Sequence, residues 1–351
     1  MMRTAAELAP WQQPAYARAC EAMDAGHLSH GLLICGPQRL GKRALAERLA
    51  GRLLCTGRAQ GEEACGRCRS CTLFDARTPA DPAQIRPDGT PAHPFGMPGH
   101  PDAYFLGHEL NEKTGKPRAE IVIDQIRTLS EKLALTPQFG RAQVALIDPA
   151  DAVNHAACNA LLKTLEEPQP GRYLWLISAH PARLPATIRS RCQRLELRMP
   201  GRAEALAWLR AHGHAEAEAM QALHAARGHP GLAQAWLAEG TLALRQTVAD
   251  DLARLQRGNV AAIEIAQRWT GDDQAGLRLA FAADLALEEA SRLTDAVRMR
   301  TLAQWFDAAN RTRDLLRTTV RADLAVAELL LAWRQTTASG QSATGNQRRA
   351  K

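Results

Sequence analysis

Four thiols stand close together in this chain. Cys65, Cys68 and Cys71 form C-x2-C-x2-C, and Cys55 precedes them. Thiolates at two-residue spacing suit a tetrahedral zinc ion, because successive knuckle turns aim both sulfurs at one point. Structural zinc of this kind contributes on the order of 10–16 kcal/mol to local folding. The triple spacing is shared with iron–sulfur patterns, but no fourth Cys-Pro follows. Free or redox thiols are the remaining reading. Cys20, Cys35 and Cys158 read as small buried residues.

A second constellation points to phosphate. Gly36-Pro37-Gln38-Arg39-Leu40-Gly41-Lys42-Arg43 matches GxxxxGK[ST] at every position but the last. Such a loop turns backbone amides towards phosphate oxygens while the lysine neutralises their charge. The final Ser/Thr normally gives its hydroxyl to Mg2+. Arg43 has no acceptor and repels a cation. Val144–Asp148 is an apolar run ending in an acid, as in a Walker B strand, and the next residue is Pro149 rather than a Glu that activates water. Two defects at one centre predict a retained fold that has lost hydrolysis. Whether a nucleotide occupies Gly36, Gly41 and Lys42 stays open. So does the reading in which the two glycines merely make a tight turn.

The elements that position these groups follow from periodicity. His30–Cys35 is a short apolar run before the loop, and Leu45, Leu49 and Leu53 then repeat at a helical spacing. Helices are predicted over 121–135 and 152–165, and buried strands over 143–147 and 173–178, with a last short strand at 194–197. Strands alternating with helices mean crossover connections and a parallel sheet. Residues 78–118, dense in proline and glycine between 79 and 101, are predicted to be mainly surface loop. Within them, the prolines of about 80–99 suggest a flexible surface excursion. After Pro200 no strand-like run recurs. Short helices with glycine stops reach about 240, longer Leu/Ala-striped helices reach about 335, and a polar, basic tail from 336 is predicted to be disordered.

The chain has 351 residues, which at about 150 per domain means two or three domains. Its formal net charge of +7 is compatible with work near nucleic acid without requiring it. No apolar run reaches the roughly 18 residues of a membrane span, and no secretory apolar region opens the sequence. With one tight cysteine cluster, these features give the expectation of a cytoplasmic protein.

Leu184–Cys192, read as Leu-Pro-Ala-Thr-Ile-Arg-Ser-Arg-Cys, follows the strand at 173–178. That segment, Cys158–Pro168, His100-Pro101-Asp102 and the four-cysteine cluster carry a resemblance. The chain resembles the delta-prime subunits of the bacterial DNA polymerase III clamp loader, within the AAA+ superfamily. The match is strong over 26–198 and rests on pattern beyond, and relative to the family's compact version the loop at about 80–99 looks like an insertion, read as peripheral.

The resemblance implies an α/β P-loop-type domain at 1–198 with a zinc module at 55–71. A helical lid at 199–240 and an all-α collar at 241–335 would follow. It implies a hetero-pentameric ring with the gamma/tau motor subunits and the delta subunit, opening the sliding clamp and placing it on primed DNA for the polymerase. It implies that the chain itself hydrolyses no ATP, and that Arg191 of the Ser-Arg-Cys segment reaches the nucleotide site of a neighbouring motor. On residue chemistry alone, Arg191 is equally a surface arginine paired with a local carboxylate, and Arg189 is the neighbour easily mistaken for it. Motor subunits carry a nucleotide-sensing arginine in the lid, and here that position looks like Gly231. The alternatives are an active motor ATPase of the same fold and a zinc-bearing DNA-binding module. The second is disfavoured by an aromatic fraction of 5%.

Overall fold

The computed structural model describes residues 7–79, 83–86, 90–111, 114–140, 142–316 and 318–338. Contacts divide the chain into two units, Met1–Gln234 and Ala235–Lys351. In chain order the strands are β1 (Gly31–Cys35), β2 (Arg77–Thr78), β3 (Met97–Pro98), β4 (Ala103–Leu106), β5 (Gln143–Ile147), β6 (Arg172–Ser178) and β7 (Gln193–Glu196). β2 and β3 form a small antiparallel pair. The other five make one parallel sheet in the order β4-β5-β6-β1-β7.

Both faces of that sheet are covered, which is why its central strands are near-continuous apolar runs, with polar residues only at their ends. Along β1, Leu32 and Ile34 face one way and pack with Val144, Leu146, Trp175 and Ile177 beneath α1 (Gln13–Asp24) and α2 (Lys42–Leu54). Leu33 and Cys35 face the other way, with Ala145, Ile147, Leu174 and Leu176. After α3 (Arg69–Asp75), the second face is covered by α4 (Ile123–Ala134) and α5 (His155–Glu166). The period of two along each strand sorts the residues between the layers.

The expectation of surface loop over 78–118 is corrected in part. Ala103–Leu106 is the edge strand β4, paired in register with Val144–Ile147. Pro101 lies just before it, where a missing amide costs no ladder bond. Asp102 sits at its start with no exposed surface. Its carboxylate accepts the backbone N–H groups of Gln138 (2.8 Å) and Phe139 (2.6 Å), which ties the turn before β5 to the edge strand. Residues 80–82, 87–89 and 112–113 of this stretch lie outside the described residues.

The first unit continues through α6 (Ala186–Arg191), α7 (Arg202–Ala211) and α8 (Glu216–Ala225) into α9 (Pro230–Ala238), within which the division falls. The second unit holds α10 (Thr241–Gln256), α11 (Ala262–Trp269), α12 (Ala275–Ser291), α13 (Ala296–Leu315) and α14 (Ala322–Ala338). α12 lies along α13, while α11 and α13 pack on α14. Its core uses aromatic pairs, Trp236 with Phe281 at 5.0 Å and Trp305 with Trp333 at 4.6 Å between ring centres. Buried Asp251 accepts the Trp269 indole N–H at 2.9 Å. α14 continues to Ala338, and the rest of the tail expected from 336 lies outside the described residues. Among the described residues no helix is long and apolar enough to cross a membrane.

Candidate functional site

β1 ends between β6 and β7, and the chain then turns through Gly36–Gly41 into α2. Ligand crevices in open parallel sheets form beyond the carboxyl ends of the strands. A cavity of about 640 Å3 lies there, walled by Gly36, Arg39, His180, Arg194, Glu196 and His229. Gly41 caps α2 in the left-handed region, with φ 79°. The Gln12 amide donates to its carbonyl at 2.7 Å, and a Cβ at Gly41 would lie 2.2 Å from that amide nitrogen and push it away, adding to the strain that the left-handed backbone puts on any other residue. The Trp11 indole N–H donates to Leu40 O at 3.1 Å. Lys42 is turned inward: Nζ donates to Gly36 O at 2.8 Å and Pro37 O at 2.7 Å. Burial lowers its pKa. The loop thus holds its own lysine.

The cation position is also taken. Arg43 is 7% exposed and Asp148 5%. Arg86 Nη2 donates to Asp148 Oδ2 at 2.7 Å, and Arg43 Nη1 lies 3.6 Å from the same oxygen. Arg43 Nε donates to Glu47 at 2.5 Å, Arg77 pairs with the other Glu47 oxygen at 3.0 Å, and the Arg43 guanidinium stacks 4.4 Å from the Phe105 ring centre. Mg2+ in phosphate loops is held by the Ser/Thr hydroxyl and the Walker B acid. Here Arg43 stands where the hydroxyl would be and Asp148 is paired with two guanidiniums, so the residues do not fit that ion.

His93 completes this cluster. Its Nδ1 accepts from Arg43 Nη2 at 3.3 Å, and its Nε2–H donates to Gln84 at 2.7 Å. Burial first, then the charges of Arg43 and Arg86, push its pKa down to about 3. A free imidazole titrates near 6.5. The folded value is depressed, so the stability of the neutral form is complete above about pH 6.5 and is lost as pH falls towards 3. Linkage makes this slope about 1.4 kcal/mol per pH unit for one proton. We expect the unfolding free energy to fall more steeply between pH 6.5 and 4 in the wild-type chain than in His93→Gln. Parallel pH profiles in urea melts would disprove the assignment. Neither Arg86 nor His93 carries a sequence signal for this role. The insertion at about 80–99, read as peripheral, supplies both, and that reading is corrected.

From α9, Gly231 abuts the loop. A Cβ there would lie 1.8 Å from the Arg39 carbonyl oxygen, so no arginine can stand at this position in this arrangement. The ring of half-buried His229 reaches the Gln38 backbone. Arg191 lies at the end of α6, with its side chain 38% exposed. It bonds Glu166 at 2.6 Å and the Thr187 carbonyl at 3.0 Å. The local carboxylate is therefore present in the chain by itself. Arg189 is exposed.

Cys55, Cys65, Cys68 and Cys71 do converge, with all four sulfurs within 4.8 Å of one another. Cys55 follows α2, Cys68 caps α3, and Cys71 lies in the first turn of α3. The Cys65, Cys68 and Cys71 amides donate to the sulfurs of Cys55 (3.3 Å), Cys65 (3.4 Å) and Cys68 (3.4 Å). Sulfur separations of 3.6 Å (Cys55–Cys65) and 3.8 Å (Cys55–Cys68) match the roughly 3.8 Å edge of a tetrahedron with metal–sulfur bonds of about 2.3 Å. The donor set fits a thiophilic ion. Burial works to raise the Cys68 pKa, but hydrogen bonds from Cys71 and Thr56 hold it down at about 5. Ser70 Oγ donates to Leu54 O at 2.6 Å, and His100 Nε2–H donates to Ser70 Oγ at 2.8 Å, so His100 fastens this module to the start of β4.

The fold and site define a phosphate-loop α/β protein whose cation position is filled by its own arginines. The family described as DNA polymerase III, delta subunit, matches residues 11–200. A DNA polymerase III delta-prime subunit of Pseudomonas aeruginosa is 37% identical over 266 residues, 75% of this chain and 72% of that one. The Escherichia coli delta-prime subunit is 33% identical over 245 residues, 70% of this chain and 65% of that one. A solved gamma-subunit-related protein of Thermotoga maritima aligns over 91% of this chain and 99% of its own, at 16% identity and a TM-score of 0.43. The chain belongs to the DNA polymerase III delta-prime subunit family.

Proposed function

We propose that this chain is a cytoplasmic, non-hydrolysing subunit of a clamp-loader ring. It assembles with gamma/tau motor subunits and a delta subunit, helps open the sliding clamp and place it on primed DNA, and donates Arg191 to a neighbouring motor's nucleotide site. The helices beyond 199 act as lid and collar, and the four cysteines hold structural zinc. The observation that carries the reading is the arginine-filled cation position at Asp148 in a member of the delta-prime family. A guanidinium cannot be deprotonated and has no lone pair to offer Mg2+, so it removes the metal on which hydrolysis in phosphate loops depends.

The test compares turnover with and without this chain. The isolated chain is expected to hydrolyse no ATP. Clamp- and DNA-stimulated turnover by the motor and delta subunits should rise when the chain is added and a complex forms by gel filtration. Turnover by the isolated chain that Lys42→Ala abolishes would replace this reading with the motor ATPase.

A further inference from the structure

Residues 83–86 and 90–98 do chemistry that their sequence conceals. Two guanidiniums, Arg43 from α2 and Arg86 from the insertion, meet one oxygen of Asp148. Together they bring the charge of a divalent cation to the carboxylate that would hold one. The insertion is seated there by more than this pair. Ala92 has no exposed surface, and a Cβ at Gly107, just after β4, would lie 3.2 Å from both the Ala92 Cβ and the Asp148 carbonyl oxygen. Ala92 N donates to Gln84 O at 2.8 Å and Arg86 N to Thr90 O at 2.8 Å, closing the segment on itself. His93, 8% exposed and neutral, accepts from Arg43 and so adds no charge to a site already rich in cations.

We infer that the insertion is a built-in substitute for the divalent cation, with Arg86 and Arg43 as the counter-charge of Asp148, and that it closes this phosphate loop to magnesium-bound nucleotide. The inference concerns the pocket on which the proposed function rests, but it requires nothing of the ring. In the chain of alternating charges Arg77–Glu47–Arg43–Asp148–Arg86, the three inner groups are buried and every neighbour is paired, with Arg77 and the quarter-exposed Arg86 at the ends. A metal would have to displace both guanidiniums from Asp148. Once displaced, buried Arg43 would be left against the Phe105 ring with one carboxylate fewer. The exclusion is therefore a property of side chains, and removing them should reverse it.

The test uses the isolated full-length chain. Binding of fluorescent ADP is measured with Mg2+ and with a chelator, in wild type, Arg86→Ala, and Arg43→Ser with Arg86→Ala. Wild type should show no Mg2+-dependent affinity, and the double variant should gain at least tenfold when Mg2+ is present. Hydrogen exchange over 90–98 keeps the test decisive if Arg43→Ser fails to fold: Arg86→Ala alone should lose about tenfold protection there. Folded variants with no gain in Mg2+-dependent binding, or an insertion equally protected in Arg86→Ala, would overturn the inference. Failure of the ring assay with these outcomes intact would count against the proposed function alone.

Discussion

Arg191→Ala, placed in an otherwise intact ring, should slow turnover at one neighbouring nucleotide site by roughly 10³–10⁵, the range seen for arginine fingers elsewhere. At 1.36 kcal/mol per decade this is about 4–7 kcal/mol of lost transition-state stabilisation. The total rate falls only by that site's share, so single-turnover measurement at limiting nucleotide is the better readout. The local environment makes the substitution clean. Arg191 pairs with Glu166, but the two side chains are 38% and 47% exposed. An ion pair so open to water is worth about 0–1 kcal/mol. Its loss should leave the chain's stability and its place in the ring nearly unchanged.

The same weakness is what a finger needs, because the guanidinium can leave Glu166 for a phosphate at small cost. Arg191→Lys keeps the charge but loses the planar fork of donors, and should recover little of the rate. Arg189→Ala should leave turnover unchanged. If Arg191→Ala turns over like wild type in an assembled ring, Glu166 is the residue's only partner of consequence, and the chain contributes shape alone.

How far the sequence revealed this site depends on whether each part is local. Gly36–Lys42 and Cys65–Cys71 are contiguous motifs, and their spacing encodes their geometry directly. Cys55 joined the cluster in advance because the end of α2 could be read from its leucine stripe, which placed that thiol at a helix terminus. β1, β5 and β6 were legible as apolar runs since a strand covered on both faces is nearly continuously apolar. β4 was not. Four residues, Ala-Tyr-Phe-Leu, behind a proline in a proline-dense stretch give no period to measure.

Arg86 and His93 were illegible for a different reason. Their meaning lies in Asp148, 62 residues beyond Arg86, and in Arg43 on another element. An arginine in a polar loop reads as solvated unless its partner is known. The defect at Arg43 was visible in the sequence, but not its compensation. The inward turn of Lys42 was equally hidden, because its partners are the backbone carbonyls of Gly36 and Pro37, which no side-chain pattern announces. Gly231 could be read as a missing arginine, whereas its close approach to the Arg39 carbonyl could not.

Metal removal should have the largest effect on folding. Native preparations are expected to carry one zinc per chain by elemental analysis, and stripping it should destabilise residues 55–75 and the elements fastened to them. The reason lies in what the module contains. α3 has seven residues, too few to be stable alone. Of its buried residues, Ser70 and Phe74 are the anchors to the domain, Ser70 through Leu54 O and His100, and Phe74 against Phe105 at 6.3 Å between ring centres. Four thiolates without an ion would repel one another at separations under 4.8 Å.

Binding free energies of structural zinc, on the order of 10–16 kcal/mol in small domains, leave several kcal/mol to be lost here after the apo thiols reprotonate. Cys65→Ser should lower the thermal midpoint clearly and raise hydrogen exchange over 65–75, while exchange in β1 and β5 changes less. Arg52, buried and bidentate to Asp24 at 3.0 and 2.8 Å, holds the end of α2 independently of the metal, so unfolding should start at Cys55 and not before it. Visible absorbance with bound iron would reassign the cluster. A chain that is zinc-free as purified, with Cys65→Ser melting at the wild-type temperature, would reduce the four cysteines to thiols that pack together without a metal.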